Sequence, residues 1–188
     1  MSERRAFGCL FCITGKEQVV AEHLQRMCPD VRAVVARQEK HRTVNGKKLK
    51  VEEVFLPSYV FFEAPESIVP TAEFPREHVI RILALENGIW QLTGNDASFA
   101  RWLFDYNGLL SFSKAYREGE RIRIVSGPLK DMEGMIRRVD KRGRSGQVIL
   151  EFNGRSVPVW LGFDLLDAAP AKTDHLNQMG DQDETSSP

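Results

Sequence analysis

The apolar positions of this 188-residue chain change their period part-way along it. Phe7–Ile13 is a short apolar run closed by Thr14-Gly15, which reads as a buried strand. Thr14 meets Glu17 three residues later, the spacing of a capping box. Val20, Leu24 and Met27 then recur at helical spacing until Pro29 stops them. Val31–Arg37 and Phe55–Phe62 read as further strands, the second rich in Tyr, Val and Phe after Pro57. Between them Asn45-Gly46 joins two polar arms, which predicts a tight hairpin projecting into solvent. Pro70 and Pro75 interrupt 67–85, and Ile89–Leu92 suggests a short strand. A helix is expected over Asp96–Tyr106, capped by Asn95 or Asp96 and ended by Gly108. Phe99, Trp102, Leu103 and Tyr106 share its buried face.

Ser111–Arg117 is polar and aperiodic, and beyond it short alternating runs take over. Arg121–Val125, Met135–Val139, Gln147–Phe152 and Val157–Leu161 are separated by turns at Ser126-Gly127-Pro128 and Asn153-Gly154. Short strands at this spacing suit a small barrel. The pattern divides the chain into a first domain over 1–111, a linker at 112–117, a second domain over 118–168 and a tail at 169–188. The tail lacks aromatics and β-branched aliphatics and is expected to be disordered. No apolar run approaches the ~20 residues that cross a bilayer, so no membrane association is expected. Arg4 and Arg5 precede the first apolar run, but Lys16 and Glu17 follow it without a small-residue cleavage site. A cytoplasmic location is the expectation.

Charge adds a second layer. The 26 Lys and Arg balance 26 Asp and Glu, yet they are segregated. Arg32, Arg37, Lys40, Arg42, Lys47, Lys48 and Lys50 stand against Glu39 alone, and Arg137, Arg138, Lys141, Arg142 and Arg144 against Asp140. Two basic patches on a neutral chain point to local contacts with a polyanion; a solvated charged loop is the alternative. Cys9, Cys12, His23 and Cys28 are zinc-ligand types, but their spacing turns them apart on a strand and on a helix. Buried free thiols are expected, and no metal. The four histidines, His23, His41, His78 and His175, lie in unlike contexts, and no phosphate-cradling or nucleophile motif occurs. Neither an enzyme nor a cofactor is expected.

Two stretches carry a family resemblance. Tyr116–Ile124, with Gly119, runs into Gly127-Pro128-Leu129 and then Gly134, Ile136, Val139 and Asp140. This resembles the KOW module of NusG-type transcription elongation factors, where G-x-x-V-x-I precedes G-P-[FL] and a closing glycine. Gly154-Arg155 and Pro158-Val159 match that module's late hairpin. Phe7 to Glu17 resembles the opening of the family's amino-terminal domain, with Phe7 where Trp is common. Phe55-Leu56-Pro57-Ser58-Tyr59-Val60-Phe61 resembles its F-x-P-G-Y-V strand, with Ser58 in place of glycine. Gly127–Lys130 together with Val139–Arg142 is similar to LoaP, a specialised antitermination paralogue.

The resemblance implies an α+β fold: an amino-terminal NusG-like α/β sandwich, an antiparallel sheet with helices, plus a carboxy-terminal SH3-like KOW β-barrel. It implies a transcription elongation and antitermination factor that suppresses pausing and termination on particular operons. Such a factor would bind the clamp helices of RNA polymerase through an exposed hydrophobic hollow. Matched by motif, Phe7, Leu56 and Tyr59 would line that hollow, unless they are simply core. An RNA hairpin in a leader transcript, or upstream DNA, would meet Arg137, Arg138, Lys141, Arg142 and Arg144. Arg37, Lys40, Arg42, Lys47 and Lys48 are the second choice for that contact. Leu129 and Met132 would contact a partner of the KOW loop such as a ribosomal protein. Met132 stands where the general factor presents an aromatic for a termination factor, which fits an antiterminator. A monomer is expected. The competing reading is a ribosome-associated or free RNA-binding KOW protein without polymerase binding.

Overall fold

The computed structural model describes residues 4–68, 70, 74–83 and 89–167, so the expected tail at 169–188 and His175 lie outside the described residues. Strand β1 (Arg5–Cys12) is apolar on both sides and sits inside a sheet. It pairs antiparallel with β5 (Tyr59–Pro65) and β6 (Val79–Ile82). Strand β2 (Arg32–Val35) adds to β5, giving the order β2-β5-β1-β6. Alternation along the strands then sorts the side chains. Leu10, Cys12, Val60, Phe62 and Ala64 cluster with Val20, Ala21 and Leu24 of helix α1 (Glu17–Met27) and with Trp90. Phe7, Cys9, Phe11, Tyr59 and Phe61 join a second cluster with Phe99, Trp102, Leu103 and Phe104 of helix α2 (Gly94–Asp105).

Strands β3 (Arg37–Val44) and β4 (Lys47–Val54) form the hairpin, with β7 (Leu109–Leu110) parallel to the base of β3. Asn45 and Gly46 both have positive φ, 50° and 74°, as the mirror-image turn of a two-residue hairpin requires. Gly108 (φ 77°) ends the α2 region by donating its N–H to the Leu103 carbonyl at 2.8 Å.

The carboxy-terminal sheet has the order β10-β11-β12-β8-β9. Its strands are β8 (Ser113–Glu118), β9 (Arg121–Ser126), β10 (Ile136–Asp140), β11 (Ser145–Phe152) and β12 (Arg155–Leu165). It curls around Val148, Leu150, Val159, Leu161 and Phe163. A short helix α3 (Pro128–Asp131) and a 3-10 turn (Glu133–Met135) bridge β9 to β10. The expected fold class, α+β with a curled second sheet, is the one observed.

Several local expectations are corrected. The stretch 112–117 is no linker, because Ser113–Glu118 is strand β8, paired in parallel with β12. Its buried positions are the small residues Ser113 and Ala115, which carry no apolar periodicity, and the Ser113 hydroxyl accepts the Leu129 N–H at 2.9 Å. Val31–Arg37 breaks at Ala36, and Arg37 begins the hairpin instead. The capping box does not form: α1 starts after Lys16, with no side-chain cap. The Thr14 hydroxyl is taken by Ser58 at 2.6 Å, and Glu17 accepts N–H bonds from Gly15 at 3.1 Å and Ser58 at 2.7 Å. Burial pushes the Glu17 carboxyl up, but the Ser58, Glu17 and Gly15 N–H groups outweigh it and hold the group below its ordinary value. Neither Asn95 nor Asp96 caps α2, whose N-cap is Thr93 without a side-chain bond. Phe55–Phe62 becomes a strand only from Tyr59, because Ser58 turns the chain at φ 73°. Ile89–Leu92 makes no strand; Leu92 donates its N–H to the Phe7 carbonyl at 2.8 Å. Cys9, Cys12 and Cys28 are buried free thiols. Burial pushes the Cys9 thiol well up, and burial with the Glu17 charge lifts Cys12 to about 11, so neither is an activated nucleophile. No helix among the described residues is long and apolar enough to cross a membrane.

Candidate functional site

Phe7 and Tyr59 lie on the sheet face opposite α1, and Leu56, in the bend before β5, belongs to the same apolar cluster. Phe7 packs at a tilt against Phe104 with ring centroids 5.3 Å apart, and the Arg101 guanidinium lies 5.6 Å from the Phe7 ring. Tyr59 packs 5.2 Å from Phe11, while Leu56 is only 7% exposed. The expected open hollow is therefore corrected. Phe152, at the end of β11, occupies the face with ring centroids 5.3 Å from Tyr59, 5.0 Å from Phe61 and 5.4 Å from Phe99. The physical reason is that an aromatic face this large is costly to leave wet, and the second unit supplies the cover. Phe61, Phe99 and Phe152 were not among the residues expected to line the hollow. Alternation in β5, which puts Phe61 beside Tyr59, was the available clue for the first, and nothing local marks Phe152 as reaching another unit.

Polar contacts ring this seam. The Asp96 carboxylate accepts the Asn153 N–H at 2.9 Å, and the Tyr106 hydroxyl donates to Asp131 at 2.5 Å. Burial, and then the Asp131 partner, push the Tyr106 hydroxyl well above its ordinary range. Lys50 of the hairpin and Lys114 of β8 both reach Asp164, each at 3.4 Å. Burial opposes the Asp164 charge, but the two ammonium groups outweigh it and hold the carboxyl below its usual value.

The two basic clusters are carried by different elements. Arg137, Arg138, Lys141, Arg142 and Arg144 are exposed on β10 and the turn that follows it. Lys141 pairs with Glu120 at 3.2 Å. On the hairpin, Arg37 pairs with Glu52 at 3.1 Å and Lys40 with Glu53, whereas Arg42 and Lys47 lie exposed near the tip. The backbone of Lys48 stands opposite Thr43 in the hairpin register. The hairpin does not simply project into solvent: its base packs against the barrel, with His41 stacked on Phe112 at 4.5 Å. Leu129 is corrected as a surface contact, since it is fully buried in the barrel core. Met132 is half-buried and lines a 220 Å³ pocket with Phe99 and Leu150, so it faces the seam.

No family model matches the chain. It is 28% identical over 149 residues to the "Transcription termination/antitermination protein NusG" of Borreliella burgdorferi, an alignment covering 73% of this chain and 79% of that one. The Thermus thermophilus protein of the same name is 27% identical over 131 residues, covering 63% and 69%. A solved structure described as "Domain interaction in Thermotoga maritima NusG" superposes with a TM-score of 0.51 at 18% identity, covering 85% of this chain and 94% of that one. The chain is thus similar in sequence to two NusG proteins and shares the fold of a third. The NusG fold accounts for both sheets, the first carrying the aromatic face and the second, KOW-like, carrying Phe152.

Proposed function

We propose that the protein is a transcription termination/antitermination factor of NusG type. It grips RNA polymerase through the aromatic face around Tyr59 and holds nucleic acid on its basic clusters. As in LoaP, that nucleic acid is leader RNA, which makes the action specific to particular operons. The observation that carries this reading is the gathering of Phe7, Leu56 and Tyr59 in one apolar cluster, alongside similarity to curated NusG proteins. The protein does no chemistry; it biases polymerase between processive and paused states by differential binding.

Phe152 covers the same face, so polymerase binding requires the KOW-like unit to leave it. The three ring pairs contribute about 0.5–1.5 kcal/mol each on top of the apolar area that undocking exposes, a cost that the polymerase interface has to repay. The test is co-purification of the full chain with core RNA polymerase. Wild type is captured, and Phe7→Ala with Tyr59→Ala is lost. Asp96→Ala with Tyr106→Phe, which loosens the seam without touching the face, is captured more strongly. Unchanged capture by the Phe7 and Tyr59 double variant refutes the docking face.

A further inference from the structure

A cleft of 160 Å³ lies between the hairpin and the barrel, and neither unit builds it alone. Lys40 and His41 come from β3, Arg144 from the β10–β11 turn, and Trp160 from β12, with Phe112 between the units. Three features mark it as more than a seam. Trp160 is 36% exposed, whereas Trp90 and Trp102 are 2% and 6% exposed, so the one accessible indole of the chain sits here. Arg144 is held at φ 53°, a region that non-glycine residues seldom occupy, and its carbonyl accepts the Phe163 N–H at 2.9 Å. Glu39 is the acidic residue among the lining groups, and its carboxylate is engaged by the Phe112 N–H at 3.0 Å. Lys40 is shared with Glu53, which leaves Arg144 as the lining cation with no acidic partner among the described residues.

The chemistry of such a cleft is a flat aromatic platform flanked by cations. Its volume falls below the roughly 300–1,000 Å³ of a site for a whole small molecule, which suits one group inserted from a longer polymer. Exposed cations continue from both lips, Arg42 and Lys47 along the hairpin and Arg142 along the turn, as a polyanion track requires.

We infer that this cleft is a binding site for single-stranded nucleic acid, in which a base stacks on Trp160 and phosphates meet Lys40 and Arg144, and that it is complete only while the two units are docked. The inference rests on the nucleic-acid part of the proposed function and joins the two basic clusters into one site.

The test uses the full chain with a fluorescein-labelled oligonucleotide of about twelve nucleotides, long enough to span such a site. RNA and DNA of one sequence are compared, which identifies the source of the strand. Binding should quench the intrinsic tryptophan fluorescence. Trp160→Ala should abolish the quench and weaken affinity at least about fivefold. Arg144→Ala and Lys40→Ala should each lower the slope of log affinity against log salt by about one. The seam variant Asp96→Ala with Tyr106→Phe should also bind more weakly. Wild-type affinity in both Trp160→Ala and the seam variant overturns the cleft. So does loss of binding in Arg138→Ala with Arg142→Ala while Trp160→Ala is unaffected, a result that places the strand on the barrel alone. An acidic peptide that binds where neither oligonucleotide does overturns it as well. Each of these leaves the polymerase face untouched, because that face is read by the Phe7 and Tyr59 variants.

Discussion

The four-stranded sheet presents two aromatic faces, and they are sealed in different ways. Phe62, between Phe74 at 4.9 Å and Trp90 at 5.2 Å, lies under α1, within the same unit. Phe61, one residue earlier, packs 5.5 Å from Phe99 of α2 and is closed over by Phe152, which belongs to a different sheet. Both side chains have 0% exposure. Burial alone therefore does not distinguish core from docking surface; what matters is whether the covering element can leave without unfolding the element it covers. A helix that shares the core of its own unit cannot, whereas a second sheet held across a seam of ring pairs and a handful of polar contacts can.

The contrast can be broken in graded steps. The largest effect is expected from Phe62→Ala, which removes a ring from the α1 side and should cost about 3–5 kcal/mol of global stability by denaturant titration. Phe152→Ala should cost less in global stability and show chiefly as undocking. Loss of its ring pairs, at about 0.5–1.5 kcal/mol each, should appear as raised amide exchange around Tyr59 and Asn153. A global loss matching that of Phe62→Ala would erase the distinction between the two faces.

A smaller step is Asp96→Ala with Tyr106→Phe. It removes two hydrogen bonds worth roughly 0.5–1.5 kcal/mol each and should raise exchange at the seam while the denaturant midpoint of the α1 side stays put.

Acid sharpens the same contrast from the other side. Glu17 is charged and satisfied in the folded state, with its carboxyl held low by N–H donors. Its contribution is therefore complete above the ordinary carboxylate range and is lost as pH falls through the lowered folded value. Glu17→Gln should remove that part of the acid sensitivity, measured as the denaturant midpoint against pH, while the docking seam is unchanged. The smallest effect is expected from Ser58→Gly. Relief of the left-handed backbone, about 1–2 kcal/mol, is offset by loss of the Thr14–Ser58 hydroxyl contact, about 0.5–1.5 kcal/mol. Stability should move by under about 1 kcal/mol, whereas Ser58→Val should lose both.

Much of the local architecture was legible in the chain. The strand at Phe7, helix α1 and the two Asn-Gly hairpins follow from period and turn chemistry, because each is set by residues within one turn or one strand pair. What escaped was set by partners far along the chain. Ser113 and Ala115 looked like linker, since small buried residues carry no periodic signal and their pairing strand lies some fifty positions on. Thr14 and Glu17 satisfied the spacing of a capping box, but Ser58 competed for both side chains. Leu129 matched a loop motif, yet fills the barrel core.

The same division runs through the candidate site. Phe7, Leu56, Tyr59 and the two basic clusters could be named from motif and charge, because residue type and order are properties of the strand of letters. That Phe152 caps the aromatic face, and that Lys40 and Arg144 share a cleft with Trp160, was decided only in three dimensions. Alternation states which side of a strand a residue takes but not what will stand opposite it, and that choice is made by the packing of one finished unit on another.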